Sequence, residues 1–398
     1  MENTNKKRLL FICSKRPFPV QDGGAIRTMQ MYWMLSRHFD IDLVYSCNSQ
    51  EQCASEPDKS LEIKSQKGFY LPKWKSLLQT FCAIFSNRPL QCAYFFSNRM
   101  SKYIRKNIHH YDYVFCNNIR TALYVIDTSD CVRFIDFVDA ISMNYWGGSQ
   151  KHRFPISLLY REESNRLLKM EIKLATLFDR AFIISDIDSN YIKQKASIKI
   201  REIDVIPNSV DIPDECITQS STSNIVFVGS MFYEPNIIAV TTFAKYIFPK
   251  IQEKIPAAKF YIVGNRPAEK VRSLANKDII VTGFVEDPKE YLRLSNIVIA
   301  PMYSGAGVQN KILEAMSMGC CVVTTTIGSE GLGNVRNGKE ICIEDDYDKM
   351  ANRIITLLND KYSRERIGKL AKDYVSINFS FDKVYRIFTD KLIDEKIK

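Results

Sequence analysis

Residues 297–324 read IVIAPMYSGAGVQNKILEAMSMGCCVVT, and this stretch decides the fold class. A β-branched run at 297–300 is followed by a glycine-containing loop, a helical pattern and a second apolar run at 321–324. Strand, loop, helix and strand in this order are typical of a βαβ unit in a parallel sheet. The same alternation recurs along almost the whole chain, which predicts an α/β protein.

The alternation forms two series, so we predict two Rossmann-like parallel-sheet domains that face each other across a cleft. A segment at 211–224 is rich in Ser, Thr, Asp and Pro and predicts a linker. The predicted domains are residues 1–208 and 209–379, and a helix at 380–398 is expected to pack back on the first. The predicted strands lie at 9–13, 42–45, 113–116, 132–137, 181–184 and 203–206, and then at 225–228, 260–263, 279–281, 297–300, 321–324 and 341–343.

The charge of the chain is unevenly distributed. Of its 398 residues, 55 are Lys or Arg and 45 are Asp or Glu, and the whole excess of +10 falls within residues 1–200. This asymmetry suggests an anionic partner for the first half, with chance scatter as the alternative. Eleven cysteines without a CxxC pair predict free thiols in a cytoplasmic protein. No apolar run is long enough to span a bilayer.

The loop and helix start at 301–316 form the densest candidate for a binding site. Glycines let the backbone approach a ligand, and a helix start offers unpaired N–H groups and a positive dipole to a diphosphate. Glu314 is expected one turn into the helix, where its carboxylate can accept hydrogen bonds from the vicinal hydroxyls of a ribose. Lys311 adds a positive charge. A glycine loop that only caps an α/β unit, with Glu314 solvated, explains the spacing equally well.

Residues 313–323, Leu-Glu-Ala-Met-Ser-Met-Gly-Cys-Cys-Val-Val, resemble the donor-binding signature of retaining GT-B glycosyltransferases of glycosyltransferase family four. Segments 206–211, 227–236, 262–267 and 281–285 resemble the same family in the same order, especially a bacterial exopolysaccharide and cell-surface branch. The resemblance implies transfer of a sugar from a nucleotide-diphosphate sugar to a hydroxyl of a saccharide or lipid-linked acceptor. It also implies retention of the anomeric configuration.

The resemblance also implies roles for individual residues of the second half. The nucleotide base would lie beside Phe284 and Val285, and its ribose on Glu314. The Arg and Lys that many members place after the strand at 225–228 have no match here, so Lys311, as a catalytic residue, and Arg266 are our candidates for neutralising the diphosphate instead. The remaining diphosphate-binding residues are Gly229, Ser230, Gly307, Val308, Gln309 and Asn310. Together these residues predict a nucleotide-sugar site in the second domain.

The first half carries a weaker match at 16–27, which is similar to the loop after the first strand in this family. Gly23 and Gly24 precede a helix start, and such a backbone nest accommodates an anion, here the donor phosphate. Arg27 is the candidate for acceptor binding. The first domain is therefore expected to bind the acceptor.

Two positions depart from the family pattern. Many members place a His beside the transferred sugar, and Asp139 stands roughly there; it is our catalytic candidate, as a base or a hydroxyl contact. An N-cap role for Asp139 is the alternative. Ala306 replaces the first glutamate of the family's Glu-x7-Glu pattern, so the donor sugar stays open. Elsewhere in this half, carboxylates at 162, 163 and 171 have helical spacing with Arg166 and predict a salt-bridged surface.

Partners and cofactors follow from the same observations. We expect no metal, and no cofactor beyond a UDP- or GDP-linked sugar as co-substrate. Residues 59–106 hold ten basic residues and Glu62 as the one acid, with aromatic side chains interleaved. This pattern is typical of peripheral contact with an anionic membrane at its inner, cytoplasmic face, unless the aromatics belong to the core. The alternatives are a nucleotide-sugar epimerase on the same fold and a basic nucleic-acid-binding protein; without a nucleic-acid motif, we expect no nucleic acid partner.

Overall fold

The structure is a computed structural model that describes residues 6–20, 23–56, 59, 63–214, 222–304 and 307–392. The chain divides into two compact units: residues 1–207 with 388–398, and residues 208–387. The boundary between the units falls within the last helix, because residues 388–398 belong to the first unit. There Phe388 packs on Phe182 with ring centroids 5.6 Å apart. Much of the predicted linker, residues 215–221, lies outside the described residues.

The first unit contains a seven-stranded parallel sheet of order β3-β2-β1-β4-β5-β6-β7. Six of its strands were predicted. The third was missed because its sequence, SQKGFY, is polar and its residues are partly exposed at the sheet edge. The strands are β1 Arg8–Cys13, β2 Asp40–Cys47, β3 Ser65–Tyr70, β4 Tyr113–Asn117, β5 Val132–Asp136, β6 Arg180–Ile183 and β7 Ile203–Val205.

Eight helices of the described residues lie between these strands. The longest, α7, caps two of its neighbours through buried carboxylates, as described below. The helices are α1 Gly23–Ser36, α2 Gln50–Ala54, α3 Lys73–Ile84, α4 Leu90–Tyr94, α5 Asn98–Asn107, α6 Ile141–Lys151, α7 Ile156–Leu177 and α8 Asp186–Lys195.

The second unit contains a six-stranded parallel sheet of order β10-β9-β8-β11-β12-β13. All six strands were predicted to within two residues. They are β8 Asn224–Val228, β9 Lys259–Val263, β10 Ile279–Gly283, β11 Ile297–Ala300, β12 Val322–Thr324 and β13 Cys342–Ile343. The helices are α9 Glu234–Thr242, α10 Phe248–Lys254, α11 Glu269–Arg272, α12 Pro288–Leu294, α13 Asn310–Ser317, α14 Thr326–Ser329, α15 Tyr347–Asn359, α16 Lys361–Phe379 and α17 Phe381–Leu392.

The central strands of both sheets are apolar along their whole length because helices cover both faces of a parallel sheet. In β1, Leu9, Leu10, Phe11 and Ile12 are completely buried. In the second unit the strand β11 is equally buried throughout. Each unit thus has its own hydrophobic core, which is what the two series of alternating elements predicted.

The prediction of free thiols is wrong for two of the cysteines. Cys47 ends β2, and the short helix α2 returns Cys53 to it, so that the Cα atoms lie 5.7 Å apart and a disulfide joins the sulfurs. Gly68 of the neighbouring β3 makes room for this bridge, since a Cβ there would lie 2.9 Å from Sγ of Cys47. The sequence analysis missed this pair because two cysteines six positions apart match no recognised cysteine motif.

Candidate functional site

A polar cavity of about 310 Å³ lies in the first unit, at the carboxyl ends of β1, β4 and β5. Strand order reverses between β1 and β4, and open α/β sheets bind ligands at such switch points. Its lining includes Ser14, Lys15, Gly24, Arg120 and Asp139. The structure thus brings Gly24 and Asp139, which are 115 residues apart in the sequence, to one cavity.

Asp139 lies half-buried in the polar cavity, three residues beyond the end of β5. Its Oδ2 accepts a hydrogen bond of 2.7 Å from Nδ2 of Asn144. Burial, together with the charge of Asp188, raises the pKa of Asp139 to about 6, although Arg120 opposes this shift. Such a carboxyl group can exchange protons near neutral pH. The N-cap alternative is wrong, because the cap of α6 is Ala140 and no side-chain hydrogen bond caps the helix from there.

Three buried polar atoms without a hydrogen-bond partner belong to side chains that line the polar cavity. They are Nε of Arg120, Nδ2 of Asn117 and Oε1 of Gln91. Burial lowers the pKa of the Arg120 guanidinium, which also lies 4.7 Å from the ring centroid of Phe95. Buried polar groups are normally paired, so these atoms are available for hydrogen bonds to a polar ligand or to water. Sequence reasoning missed all three residues because none belongs to a motif.

The backbone of the polar cavity is strained at two positions. Asn118 and Val138, which follow β4 and β5, have positive φ angles of 63° and 71°. This conformation is a marked outlier for a β-branched residue such as Val138. The amide of Val138 donates to Oδ1 of Asp136 at 3.2 Å, and its carbonyl accepts from the amide of Ile184 at 2.9 Å. Strain of this kind concentrates at functional sites, and here it sets the direction of the chain into Asp139.

Two buried carboxylates of neighbouring helices cap the start of α6. The amide of Ala140 donates to Oδ1 of Asp188 at 2.9 Å, and the amide of Ser142 donates to Oε1 of Glu171 at 3.1 Å. Carboxylates at a helix start satisfy free N–H groups and the positive end of the dipole. Burial raises the pKa of Glu171 to about 8, even though both of its hydrogen bonds to Ser142 lower it.

The prediction that the carboxylates of α7 form a salt-bridged surface is only partly right. Glu162 does pair with Arg166, at 2.8 Å. Glu163, however, is buried and accepts from the amides of Leu90 and Gln91 at 2.9 and 3.0 Å, which caps α4. Glu171 is buried in the same way. Helical spacing identified the helix but not the neighbours that these acids cap.

The acceptor contact predicted for Arg27 is wrong. This side chain is completely buried, and its Nε and Nη2 atoms donate to both carboxylate oxygens of Asp136 at 2.9 Å. Its Nη1 donates to the carbonyl of Ile206 at 2.5 Å. Arg27 therefore ties α1 to the ends of β5 and β7 and is enclosed by protein. Gly23 and Gly24, in contrast, begin α1 with exposed backbone, as a nest for an anion requires.

Glu314 lies in the middle of α13 in the second unit and is half-buried. Burial raises the pKa of this carboxyl, while Lys289 and Lys311 lower it. No described residue donates a hydrogen bond to its carboxylate; the hydroxyl of Ser317 and the amide of Met318 donate to its main-chain carbonyl. A partly buried carboxylate without a donor is suited to accept hydrogen bonds from ligand hydroxyls.

Lys311 lies one turn before Glu314 and is largely enclosed. Its Nζ donates to Oδ1 of Asn236 at 2.5 Å, lies 3.5 Å from Sδ of Met302 and is 5.1 Å from the ring centroid of Phe227. Burial lowers the pKa of Lys311 to about 8. The amide group of Asn236 also donates to the carbonyl of Ser230 at 3.0 Å. The structure thus links two of the predicted donor residues through Asn236, which the sequence analysis did not single out.

The turns after β8 and β9 lie in direct contact. Oγ of Ser230 donates to Oδ1 of Asn265 at 3.1 Å. A Cβ on Gly264 would lie only 1.7 Å from the carbonyl oxygen of Gly229, so no larger residue fits there without moving this turn. The backbones of the two turns can therefore approach each other this closely because each turn has a glycine, Gly229 and Gly264.

Three side chains predicted to contact the donor follow the strands β9 and β10. Phe284 follows β10 and is 67% exposed, so its ring face is open, and Val285 is half-buried beside it. The turn before them is Gly283, with φ 71°. Arg266 is exposed and in the left-handed region at φ 49°, with its guanidinium 5.8 Å from the ring centroid of Phe232. An exposed aromatic ring and an exposed cation suit a base and a phosphate.

The turn before α13 depends on two glycines. Gly307 has φ 85°, and Gly331 of the next loop lies so close that a Cβ there would be 2.5 Å from Cα of Val308. Gln309 is the N-cap of α13 but makes no side-chain cap, so the helix start is open to a ligand. Asn310 accepts a hydrogen bond of 2.7 Å from Asn208. Ala306, the departure from the family pattern, lies outside the described residues.

The other end of α13 packs tightly against α16. A Cβ on Gly368 of α16 would lie 2.0 Å from the carbonyl oxygen of Gly319, and Gly319 has φ 80° after the end of α13. Buried side chains of α16, including Ala371 and Val375, share a core with Ile312. The position of Glu314 therefore depends on a helix that follows it by almost 50 residues.

Two further features of the described residues bear on the predictions. They contain no group of three or more His, Cys, Asp and Glu side chains that could hold a metal ion, and the absence of a metal stays a prediction. No described helix combines the length and the apolar character that crossing a bilayer requires.

Comparison with known proteins identifies the class of the second unit. Residues 222–360 match the family described as Glycosyl transferases group 1. The match covers β8 to α15, and with them α13, Glu314 and the turn at Gly229. The matched stretch spans about a third of the chain.

Individual proteins resemble the chain over almost its whole length. HepE of Anabaena in complex with UDP is 13% identical, covers 97% of this chain and 99% of its own, and has a TM-score of 0.66. Sucrose-phosphate synthase of Thermosynechococcus elongatus is 14% identical, with coverage of 97% and 98% and a TM-score of 0.72. These similarities show that the two parallel-sheet units form the GT-B fold of glycosyltransferases. An uncharacterized 44.6 kDa protein in the cps region of Klebsiella pneumoniae is 23% identical over 400 residues, 95% of this chain and 98% of its own.

Proposed function

We propose that this protein is a retaining glycosyltransferase that moves a sugar from a nucleotide-diphosphate sugar to a hydroxyl of a saccharide or lipid-linked acceptor. One observation carries the proposal: the half-buried carboxylate of Glu314 has no described donor and follows an open helix start within the glycosyl transferases group 1 match. The relative in a Klebsiella cps region supports a role in cell-surface polysaccharide synthesis.

The second unit would bind the donor. Glu314 accepts hydrogen bonds from the ribose hydroxyls, and the exposed ring of Phe284 stacks on the base. The diphosphate lies against the start of α13 and the turn at Gly229, where backbone N–H groups and the helix dipole favour negative charge. Lys311, held by Asn236, adds a cation whose lowered pKa leaves it mostly protonated at pH 7. HepE was solved with UDP, so UDP-sugars are the first donors to test, followed by GDP-sugars.

The first unit would bind the acceptor in the polar cavity. Asp139, with its pKa raised to about 6, is ionised at neutral pH and accepts a hydrogen bond from an acceptor or sugar hydroxyl. Arg120 offers its unpaired Nε to a further oxygen, of a sugar or of a phosphate. Gly23 and Gly24 at the start of α1 would approach the donor phosphate. Arg27 supports this cavity through its ion pair with Asp136.

The chemistry follows a front-face displacement. The bond between the anomeric carbon and the diphosphate oxygen breaks, and the acceptor oxygen forms a new bond to that carbon on the same face. The acceptor proton passes to the departing diphosphate, so no nucleophile of the protein is required. The dipole of α13 and the charge of Lys311 stabilise the negative charge that develops on the diphosphate. We expect this reaction to proceed in the cytoplasm without a metal.

Donor binding by Glu314 can be tested with a matched pair of variants. Glu314→Ala removes the acceptor of two ribose hydrogen bonds and is expected to weaken UDP binding about tenfold to a hundredfold. Glu365→Ala is the control, because Glu365 is an exposed residue of α16 whose described ion pair is with Lys361 at 3.6 Å. Titration calorimetry with UDP and GDP measures both variants. Equal affinities of Glu314→Ala and the parent protein would refute the donor site.

The products distinguish a transferase from the epimerase alternative. The protein is incubated with the preferred nucleotide sugar, with and without saccharide acceptors, and the products are followed by NMR. Transfer with the donor's anomeric configuration is expected only with acceptor. An epimerised nucleotide sugar as the sole product would establish the epimerase instead, and transfer with inverted configuration would overturn the proposed retention.

A further inference from the structure

The helix α3 is amphipathic, but its orientation is the reverse of the usual one. Its residues that face the protein are small or polar, such as Ser76 and Ala83, which are 2% and 4% exposed. The opposite face consists of large apolar side chains that are between 43% and 80% exposed: Trp74, Leu77, Leu78, Phe81, Ile84 and Phe85. We call these six residues the apolar face of α3. A surface helix normally buries its apolar stripe, so this face needs a partner.

The apolar surface continues onto the start of α7. Ile84 of α3 lines one cavity together with Leu158 and Leu159, which are 59% and 48% exposed. The guanidinium of Arg166 fixes this arrangement by donating to the carbonyl of Ala83 at 2.9 Å. Phe154, just before α7, is 81% exposed. Two elements distant in sequence thus form one apolar surface, which is larger than the scattered exposed residues of ordinary surfaces.

The charges around this surface are positive. Residues 63–111 and 140–161, which contain α3 and the start of α7, include no Asp or Glu. Lys73 and Lys75 lie on either side of the apolar face of α3, and Arg161 lies over the ring of Trp146 at 5.8 Å. The first acids beyond, Glu162 and Glu163, are engaged with Arg166 and with the amides that start α4.

We propose that the apolar face of α3, with the start of α7, docks on an anionic lipid bilayer. Large apolar and aromatic side chains flanked by lysines suit the boundary between headgroups and acyl chains. A second copy of the chain fits less well, because pairing this face with itself would bring two sets of lysines together. Nucleic acid does not cover an apolar face. The helix lies along the interface and does not cross the bilayer.

A row of cavities leads from this surface toward the polar cavity. The cavity at Leu158 shares Leu90, Leu159 and Glu163 with a second one of about 460 Å³, lined also by Tyr94 and Phe95. This second cavity in turn shares Gln91, Arg120 and Tyr145 with the polar cavity. The lining changes from apolar at the surface to polar at Asp139. This gradient suits an amphiphile that enters from a bilayer. Its assignment to a lipid-linked acceptor rests on the proposed function.

Vesicle binding tests the docking directly and requires no sugar donor, so its result is independent of the proposed function. The full chain is sedimented with vesicles of phosphatidylcholine and phosphatidylglycerol, and with phosphatidylcholine alone. We expect binding to the anionic vesicles. The variant Leu77→Gln/Phe81→Gln/Phe85→Gln is expected to have an affinity for the vesicles at least about tenfold lower. It removes three apolar side chains that the bilayer would bury. The variant Lys73→Gln/Lys75→Gln should lose several-fold on anionic vesicles only.

The control variant changes exposed apolar residues elsewhere. Tyr362→Gln/Ile377→Gln alters two side chains of α16 that are 76% and 67% exposed, and it should bind vesicles like the parent protein. Circular dichroism melting checks that every variant folds. No binding of the parent protein, or equal binding of the triple variant, would overturn the proposal. A parent dimer that becomes a monomer in the triple variant without lipid would assign the surface to self-association instead.

The fluorescence of Trp74 gives a second readout. Among the three tryptophans of the chain, Trp33 and Trp146 are replaced by Phe, so that emission comes from Trp74 on the apolar face. Anionic vesicles are expected to shift this emission to shorter wavelength, because the ring leaves water. Emission that stays unchanged while the protein sediments with vesicles would show that another surface binds and would refute the orientation.

Discussion

The two units hold their carboxylates in opposite ways. In the first unit Asp136, Asp188 and Glu171 are buried, and each accepts hydrogen bonds from an arginine or from helix amides. In the second unit the carboxylate of Glu314 is half-buried and receives no hydrogen bond from a described residue. The first arrangement fixes the walls of a cavity, whereas the second leaves one group open to a ligand.

The two units therefore hold their candidate site residues in place through different kinds of contact. The first unit holds Asp139 and the strained Val138 in place through ion pairs and tertiary helix caps. The second unit holds its turns in place through glycines in direct backbone contact, at Gly229 and Gly264 and again at Gly319 and Gly368. Loss of one partner should therefore be costly in the first unit, and addition of a single methyl group should be costly in the second.

The largest effect is expected from Arg27→Leu. It leaves Asp136 buried without its guanidinium and should lower the free energy of unfolding by about 4 kcal/mol. The control is Arg201→Leu, which breaks an exposed pair with Asp179 of 3.0 Å and should cost less than about 1 kcal/mol. Urea unfolding followed by circular dichroism measures both. Equal losses of unfolding free energy in the two variants would contradict the inference that buried carboxylates organise the first unit.

Gly264→Ala is expected to cost about 3 kcal/mol, because its Cβ would collide with the carbonyl of Gly229 and displace the turn. UDP binding should weaken at the same time. Gly283→Ala is the matched control: it also has a positive φ, of 71°, but a Cβ there meets no atom within 4 Å. Its cost should stay near the roughly 1–2 kcal/mol of a left-handed residue. A Gly264→Ala protein as stable as the Gly283→Ala protein would contradict the contact.

The smallest effect concerns pH and Glu171. Since its pKa is raised from 4.5 to about 8, the folded protein keeps a proton that the unfolded chain releases, and stability falls as pH rises between these values. Glu171→Gln removes this titration and should recover about 2 kcal/mol of the loss between pH 5 and pH 7. Thermal unfolding across this range measures it. Glu162→Gln, on the exposed side of α7, should keep the parent's pH dependence; a parallel loss in both variants would rule out burial of Glu171 as the cause.

The sequence predicted the second unit better than the first, for a physical reason. Its six strands are short apolar runs. Glu314 belongs to a motif whose residues are close together in the sequence, at 313–323. The polar edge strand β3 was missed because its pattern lacks a buried face. Helical periodicity placed Glu163 and Glu171 on one helix but could not show that other helices would cover them.

Long-range contacts account for the remaining differences. Arg27 follows two glycines, and its sequence context suits a ligand contact, but Asp136, 109 residues later, occupies its guanidinium. Arg120 has no neighbouring motif and reaches the polar cavity only through the fold. The basic, aromatic segment 59–106 was visible from composition, whereas the outward orientation of the apolar face of α3 required the structure. The membrane contact itself stays a prediction.

The contact between Gly319 and Gly368 has a consequence for dissecting this chain. The stretch that matches the glycosyl transferases group 1 family ends at residue 360, yet α16 begins at Lys361 and completes the core around α13. A fragment cut at the end of the match would expose Ile312 and Met316 and release the helix that carries Glu314. A fragment that keeps the core around α13 therefore extends through Phe379, so sequence similarity underestimates the folding unit.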